Sequence, residues 1–155
     1  NVDVEVTLTK LLDELLIVSK TMDLIWPLHP RTKSRIESLG RMNELLDNAA
    51  IHLMGPLGYI DFMNGIMHSA CVITDSGGIQ EETTWLGVPC ITLRPNTERP
   101  ITITEGTNIL ATPETLQSEL QRIQKRVDTG HKTIEFWDGK TAQRCVKSLE
   151  LFLKR

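Results

Sequence analysis

Cys71-Val72-Ile73-Thr74-Asp75-Ser76-Gly77-Gly78-Ile79-Gln80-Glu81-Glu82 is the stretch whose reading decides the fold. Residues 71–74 form a short apolar run with no polar alternation, the pattern of an interior strand covered on both faces. Asp75-Ser76-Gly77-Gly78 turns that strand into a helix predicted from about Ile79 to Leu86, stopped by Gly87. Glycines let the backbone come close to a ligand, and the unsatisfied N–H groups of a helix start point at it. The helix dipole adds partial positive charge there, so an anion such as phosphate suits the place. The Ser76 hydroxyl can donate to the same anion. Glu82 lies about one and a half turns further on, beyond the phosphate zone. A carboxylate there can accept from two ribose hydroxyls. The same spacing also fits an ordinary strand–helix turn with Ser76 as N-cap and exposed glutamates. It is neither a G-x-G-x-x-G nor a P-loop, whose lysine is absent.

Similar units flank this one. Residues 4–19 carry Leu8, Leu11, Leu12, Leu15 and Leu16 on one helical stripe. Strands are predicted at 23–27, 51–54, 89–93 and 108–111. Helices are predicted at about 31–39, stopped by Gly40, and at 59–69 with Ile60, Met63, Ile66 and Met67 on a buried face. Another starts behind Thr112 and Pro113, with Leu116, Leu120, Ile123 and Val127 turned inward. A last helix follows Asp138-Gly139, with Ala142, Val146, Leu149 and Leu153 on one side. A short helix is allowed after the proline-bounded loop 94–100. Alternating strands and helices with short connections predict an α/β fold, a doubly wound, Rossmann-like parallel sheet with helices on both faces. Residues 1–155 read as one domain, without internal repeat or dividing linker.

Composition bounds the function. The chain has 155 residues, 40% hydrophobic and 24% charged, which excludes a disordered tail or a low-complexity chain. Lys plus Arg is 17 against 20 for Asp plus Glu, a net charge of −3. That balance argues against a nucleic-acid partner, though not against one nucleotide. The three cysteines, Cys71, Cys90 and Cys145, form no C-x-x-C pair, so neither a metal site nor a disulfide framework is expected. Cys71 and Cys90 read as buried thiols. Neither a membrane-length apolar run nor a signal-peptide pattern is found, so a cytoplasmic location without membrane contact is expected. Asn1 rather than Met opens the chain, as expected of an excised or incomplete sequence.

Ligands of such sheets bind at the carboxyl ends of the strands. The loops there carry His29, Arg31, Ser76, Gly77, Gly78, Arg94 and Arg99. Arg99, in a loop closed by Pro100, suits a diphosphate, or else a surface salt bridge with Glu98 or another carboxylate. His29 could donate to a phosphate or sugar hydroxyl or act as an acid; a lone loop histidine is also ordinary polar surface. Tyr59 or Phe62 could pack against a base, or simply fill the core. His52 and His131 read as structural.

Ser76-Gly77-Gly78-Ile79-Gln80-Glu81-Glu82, Leu86-Gly87-Val88-Pro89, Thr97-Glu98-Arg99-Pro100 and Glu105-Gly106-Thr107-Asn108 together resemble the UDP-N-acetylglucosamine 2-epimerase family. Pro27-Leu28-His29-Pro30 and Pro56-Leu57-Gly58-Tyr59 extend the resemblance over nearly the whole chain. The Gly-Gly…Glu…Gly-x-Pro part alone also occurs in many nucleotide-sugar glycosyltransferases with two Rossmann domains. The resemblance implies that Ser76, Gly77 and Gly78 hold the UDP diphosphate and Glu82 the ribose. Arg99 would lie near the diphosphate, while the Leu57 backbone and Phe62 border the uracil. His29 matches a family histidine on the substrate or regulatory nucleotide-sugar side and is the candidate for a catalytic role.

The family inverts C2 of the sugar without an added redox cofactor, by eliminating UDP to a 2-acetamidoglucal and adding it back. Some relatives instead release UDP and free N-acetylmannosamine. The family fold has two Rossmann-like domains of the glycosyltransferase-B type with the active site between them, and this chain resembles the C-terminal one. The partner N-terminal domain, which carries the acidic residues for proton transfer at C2, is therefore an expected partner, as is a second copy in a homodimer. A family strand ending in Thr-x-His-Arg has no counterpart here. It lies between the first and third strands of this chain, so a gap in the sheet is expected there. Three alternatives stay open: a hydrolysing epimerase, the donor domain of a UDP-sugar glycosyltransferase (against which the Thr97–Pro100 loop speaks), and a degenerate binding module that is not an enzyme.

Overall fold

The computed structural model describes residues 3–125 and 134–154. In chain order the elements are α1 (Glu5–Val18), β1 (Leu24–Pro27), α2 (Pro30–Ser38), α3 (Met42–Leu46), β2 (Ile51–Met54), α4 (Tyr59–Met67) and β3 (Val72–Thr74). Then come α5 (Gly77–Leu86), β4 (Cys90–Thr92), α6 (Ile101–Thr104), β5 (Asn108–Leu110), a 3₁₀ turn (Pro113–Thr115), α7 (Leu116–Gln124) and α8 (Thr141–Leu153). The predicted strands and helices are all present within a residue or two, α5 starting earlier to take in both glycines. The five-residue α3 is an addition; a short segment with one buried residue, Leu45, carries too little periodicity to read. Val127 and His131 lie outside the described residues.

All strand pairs are parallel, as the apolar runs imply. β1 pairs with β2 from Leu24↔Ile51 to Pro27↔Met54. β4 sits between β3 and β5, with Ile91 opposite Ile73 and Ile109. β4 is buried along its whole length because helices cover both faces. Ile91 and Leu93 pack with Leu11, Leu15, Leu116 and Leu120 of α1 and α7. Cys90 and Thr92 point the other way by the two-residue period of a strand, toward α5 and the polar groups described below.

The strands form two sheets, β1-β2 and β3-β4-β5, and no ladder joins β1 to β3. The gap lies where the resemblance places it. Val72 N donates to Pro89 O and Leu93 N to Thr74 O, so Val72 and Thr74 turn their backbone groups to β4. By alternation, the Ile73 groups face the break. The α1 helix holds the halves together. Leu8 and Leu12 pack with Leu28, Ile36, Leu45 and Ile51; Leu11, Leu15 and Val18 join the core on β4 and α7. Burying five apolar side chains of one helix in two clusters is worth roughly 1.5–3 kcal/mol each.

Two expected faces differ from prediction. On α4, Ile66 is buried and Phe62 and Met63 are half-buried, while Ile60 and Met67 are exposed. The inward stripe is 62–63–66, and positions 60 and 67 lie about 100–120° round the helix from Ile66. No residue of α8 is buried; Val146, Leu149 and Leu153 stay exposed because no described element packs over them. Cys90 is buried and Cys71 only half-buried, at the strand that borders the break. Burial nonetheless pushes the Cys71 thiol up to about 12 and raises that of Cys90. No helix among the described residues is long and apolar enough to cross a membrane.

Candidate functional site at the start of α5

The site grows from the β3–α5 turn. Ser76 is the N-cap, in extended backbone conformation (φ −80°, ψ 133°), but its side chain makes no capping bond. The turn is closed instead by Ser76 N donating to Thr74 Oγ1 (3.0 Å) and by Gln80 Nε2 donating to Ser76 O (3.3 Å). The capping alternative raised by the sequence is therefore met in position only, and the hydroxyl is not committed to the helix. The first-turn N–H groups of α5 form the positive end of the helix at the carboxyl edge of β3.

Arg99 lies directly over this helix start. A Cβ built on Gly77 would meet Arg99 Nη1 at 2.6 Å and Cζ at 3.1 Å, so only glycine leaves the guanidinium its place. Around Gly78 no atom comes within 4 Å of such a Cβ. Arg99 Nε sits 2.9 Å from Glu81 Oε2, and Nη1 sits 3.8 Å from Glu98. The Glu81 contact is an ion pair by distance but lacks the alignment of a hydrogen bond, leaving Nε buried without a hydrogen-bond partner. Of the two expectations for Arg99, the salt bridge is formed, with Glu81 and Glu98.

The loop bearing Arg99 is anchored from below. Thr97 Oγ1 accepts from Arg99 N (3.0 Å) and donates to Gln80 Oε1 (2.6 Å). Gln80 Oε1 also accepts from Asn108 Nδ2 (3.1 Å), whose Oδ1 accepts from Thr92 Oγ1 (2.7 Å). Thr102 Oγ1 donates to Arg99 O at 2.8 Å. Gln80, Thr92, Thr102 and Asn108 are all buried. Such a network is favourable because its members satisfy each other; an orphaned buried donor costs about 1–3 kcal/mol. Sequence reading missed Gln80, Thr97 and Asn108 as parts of the site. The available signal was an amide three residues after Gly77, on the face that α5 turns to β4.

Glu82 faces α4 rather than Arg99. Tyr59 Oη donates to Glu82 Oε1 at 3.2 Å, and this bond to a carboxylate raises the phenol's pKa. Tyr59, Met63, Glu81, Glu82, Trp85 and Trp137 line a shallow recess of about 360 Å³. Leu57 and Phe62 are half-buried beside it in sequence, and Phe62 is on the inward stripe of α4.

His29 occupies the N-cap of α2, and its Nδ1 accepts from Arg31 N at 3.2 Å. Arg31 pairs with Asp3 at 2.6 Å. The observed bonds of both are to neighbouring helix and terminus, not to α5. Arg94, at the end of β4, lies in a second recess of about 250 Å³ with Lys10, Thr112 and Glu114. Among the described residues no group of three or more His, Cys, Asp or Glu is placed to hold a metal ion.

Fold and site together define a Rossmann-like α/β module with an anion-ready helix start at its strand ends. The family described as UDP-N-acetylglucosamine 2-epimerase matches residues 1–150. A Methanococcus maripaludis protein of that name is 38% identical over 143 residues, taking in 90% of this chain and 38% of its own length. The Methanocaldococcus jannaschii UDP-GlcNAc 2-epimerase, solved in complex with UDP-GlcNAc and UDP, superposes with a TM-score of 0.85 at 35% identity, over 97% of this chain and 42% of that one. The Neisseria meningitidis UDP-GlcNAc 2-epimerase bound to UDP-GlcNAc gives 0.77 at 29% identity, over 96% of this chain and 41% of that one. The chain belongs to the UDP-N-acetylglucosamine 2-epimerase family. It spans well under half the length of these relatives.

Proposed function

We propose that this chain is the UDP-binding half of an enzyme that interconverts UDP-N-acetylglucosamine and UDP-N-acetylmannosamine. The observation that carries this reading is the Arg99 guanidinium seated over Gly77 at the start of α5, with Glu82 further along the same helix. In the proposed complex the first-turn N–H groups and the Ser76 hydroxyl donate to the diphosphate, Gly77 and Gly78 let it approach, and Arg99 pairs with its charge. Glu82 accepts from the ribose, and the Leu57 backbone and Phe62 border the uracil.

The same groups serve the chemistry. Elimination takes a proton from C2 and breaks the bond between C1 and the β-phosphate oxygen, leaving a 2-acetamidoglucal and UDP. Negative charge grows on the departing phosphate, and on this reading the α5 start and Arg99 stabilise it. Re-addition of UDP and a proton on the opposite face of C2 completes the inversion. Proton transfer is assigned to acidic residues of a partner domain, so the 155-residue chain is expected to bind UDP without epimerising. Product formation by this chain at the rate of an intact enzyme would overturn that assignment.

The test is calorimetric titration of the chain with UDP, with ADP as control, repeated on Ser76→Ala and Glu82→Ala. Binding at tens to hundreds of micromolar, about −5 to −6 kcal/mol, weakened in both variants and absent for ADP, supports the reading. A folded chain that binds neither nucleotide refutes it for this chain.

A further inference from the structure

Tyr59, which the sequence offered only as a base-packing or core aromatic, has no part in the proposed complex, yet its hydroxyl is the group that reaches the proposed ribose carboxylate. It is the first residue of α4, whose start is set by Gly58 at the N-cap in extended conformation (φ −64°, ψ 156°). The ring is therefore placed by the helix start, while Glu82 hangs from the side of another helix. A half-buried glutamate still has several rotamers open to it, and a ligand that needs one of them must fix it. The Tyr59 Oη–Glu82 Oε1 bond pins one oxygen before any ligand arrives. A carboxylate accepts only, so the direction of this bond is chemically forced, with the phenol as donor. It uses one of about four lone-pair sites and leaves Oε2 for other donors.

We propose, on the reading that Glu82 accepts from the ribose, that Tyr59 is a positioning residue for sugar recognition: its hydroxyl holds Oε1 and presents Oε2 to the vicinal 2′ and 3′ hydroxyls of the nucleotide. The arrangement favours ribonucleotides over deoxyribonucleotides at this site. At 3.2 Å the bond is longer than the usual 2.7–2.8 Å for O–H···O, so its effect is modest.

The experiment titrates the chain, Tyr59→Phe, Glu82→Gln and the double variant with UDP and with 2′-deoxy-UDP. Tyr59→Phe keeps the ring and removes the hydroxyl, and the residue is largely exposed, so the fold is retained. Expected is a loss of about five-fold on UDP, with less than about two-fold on 2′-deoxy-UDP, and no added loss when combined with Glu82→Gln. Equal weakening of both ligands gives Tyr59 a packing role and overturns the proposal; so does no weakening of either. A second readout is independent of ligand. Tyr59 is the chain's one tyrosine, so ultraviolet titration reads its phenol alone. Glu82→Gln should lower that midpoint toward the ordinary tyrosine value, and an unmoved midpoint overturns the hydrogen bond itself. The two failures are distinguishable. If Glu82→Gln binds UDP as well as the unaltered chain, the ribose role of Glu82 is wrong and the proposal falls with it. If Glu82→Gln weakens UDP and Tyr59→Phe does not, only the role of Tyr59 is wrong.

Discussion

Gly77→Ala separates the fold of α5 from its proposed use as an anion cradle. The added Cβ would lie 2.6 Å from Arg99 Nη1, closer than real Cβ contacts come, and 3.1 Å from Cζ, tighter than most. The obstructing atoms end a flexible side chain, so the guanidinium swings away while the backbone stays. The ion pair it gives up with Glu81 is a third to a half exposed, which limits its worth to about 1 kcal/mol at most. Alanine in place of a helical glycine returns up to about 1 kcal/mol, less in the first turn. Stability should therefore change by no more than about 1 kcal/mol. Binding is different, because one charge-assisted hydrogen bond to phosphate is worth about 1.5–3 kcal/mol. UDP affinity should fall about 10- to 150-fold. The assay pairs urea unfolding with calorimetric titration and includes Arg99→Ala and the double variant. If displacement of Arg99 is the cause, Gly77→Ala weakens nothing further once Arg99 is gone. Undiminished UDP affinity in Gly77→Ala refutes the reasoning. An equal further loss in the Arg99→Ala background also refutes it, by making the Cβ itself the obstacle to phosphate.

Other consequences follow from the same structure. Gly106→Ala should destabilise by about 1–3 kcal/mol in denaturant titration, because its Cβ would meet backbone Thr102 O at 2.5 Å and the Thr84 side chain at 2.6 Å. Gln80→Leu takes the shared acceptor from Thr97 and Asn108 and should cost at least about 2 kcal/mol in the same measurement; a neutral result would show that the buried network does not hold the Arg99 loop. In a thiol-reagent assay, Cys145 should react quickly and Cys90 and Cys71 slowly, the Cys71 thiol being pushed up to about 12 and hence about 10⁻⁴ thiolate at pH 8. Three equally fast thiols would contradict the burial. The Lys10 ammonium, bonded at 2.6 Å, chiefly holds the Glu114 carboxyl down to about 2. A carboxyl lowered by folding contributes stability that is present above its ordinary value near 4.5 and lost as pH falls toward 2. Lys10→Met should return the Glu114 midpoint toward that ordinary value in a carboxyl NMR titration.

Local chemistry made much of the fold legible. Apolar runs such as Val72–Thr74 and Cys90–Thr92 read as parallel strands; Cys90–Thr92 is buried on both faces, whereas Val72–Thr74, at the edge of its sheet, is only half-buried and not the interior strand expected. Gly87 ends α5 in the left-handed region (φ 73°), and Pro113 opens the turn before α7; both act through their own backbone. The α1 stripe was visible because five leucines at helical spacing can share only one side. The two glycines marked the turn from β3 into α5, which begins at Gly77, for the same local reason.

Spatial neighbours were decided elsewhere. The sequence offered Arg99 either Glu98 or another carboxylate without saying which; the loop's path adds Glu81 of α5 at 2.9 Å to Glu98 at 3.8 Å. Gln80 looks like any surface amide until α5 lies on β4 and buries it among Thr97 and Asn108. Glu82 meets Tyr59 across 23 positions only because the fold brings the start of α4 within reach of α5. The outward turn of Ile60 and Met67, and the uncovered face of α8, depend on which elements pack against them. So the sequence by itself determined most of the elements and the glycine-bearing edge, since each rests on interactions within a few residues. The tertiary structure alone decided the partners of Arg99 and Glu82 and the burial of Gln80, since these depend on contacts between segments that no local pattern encodes.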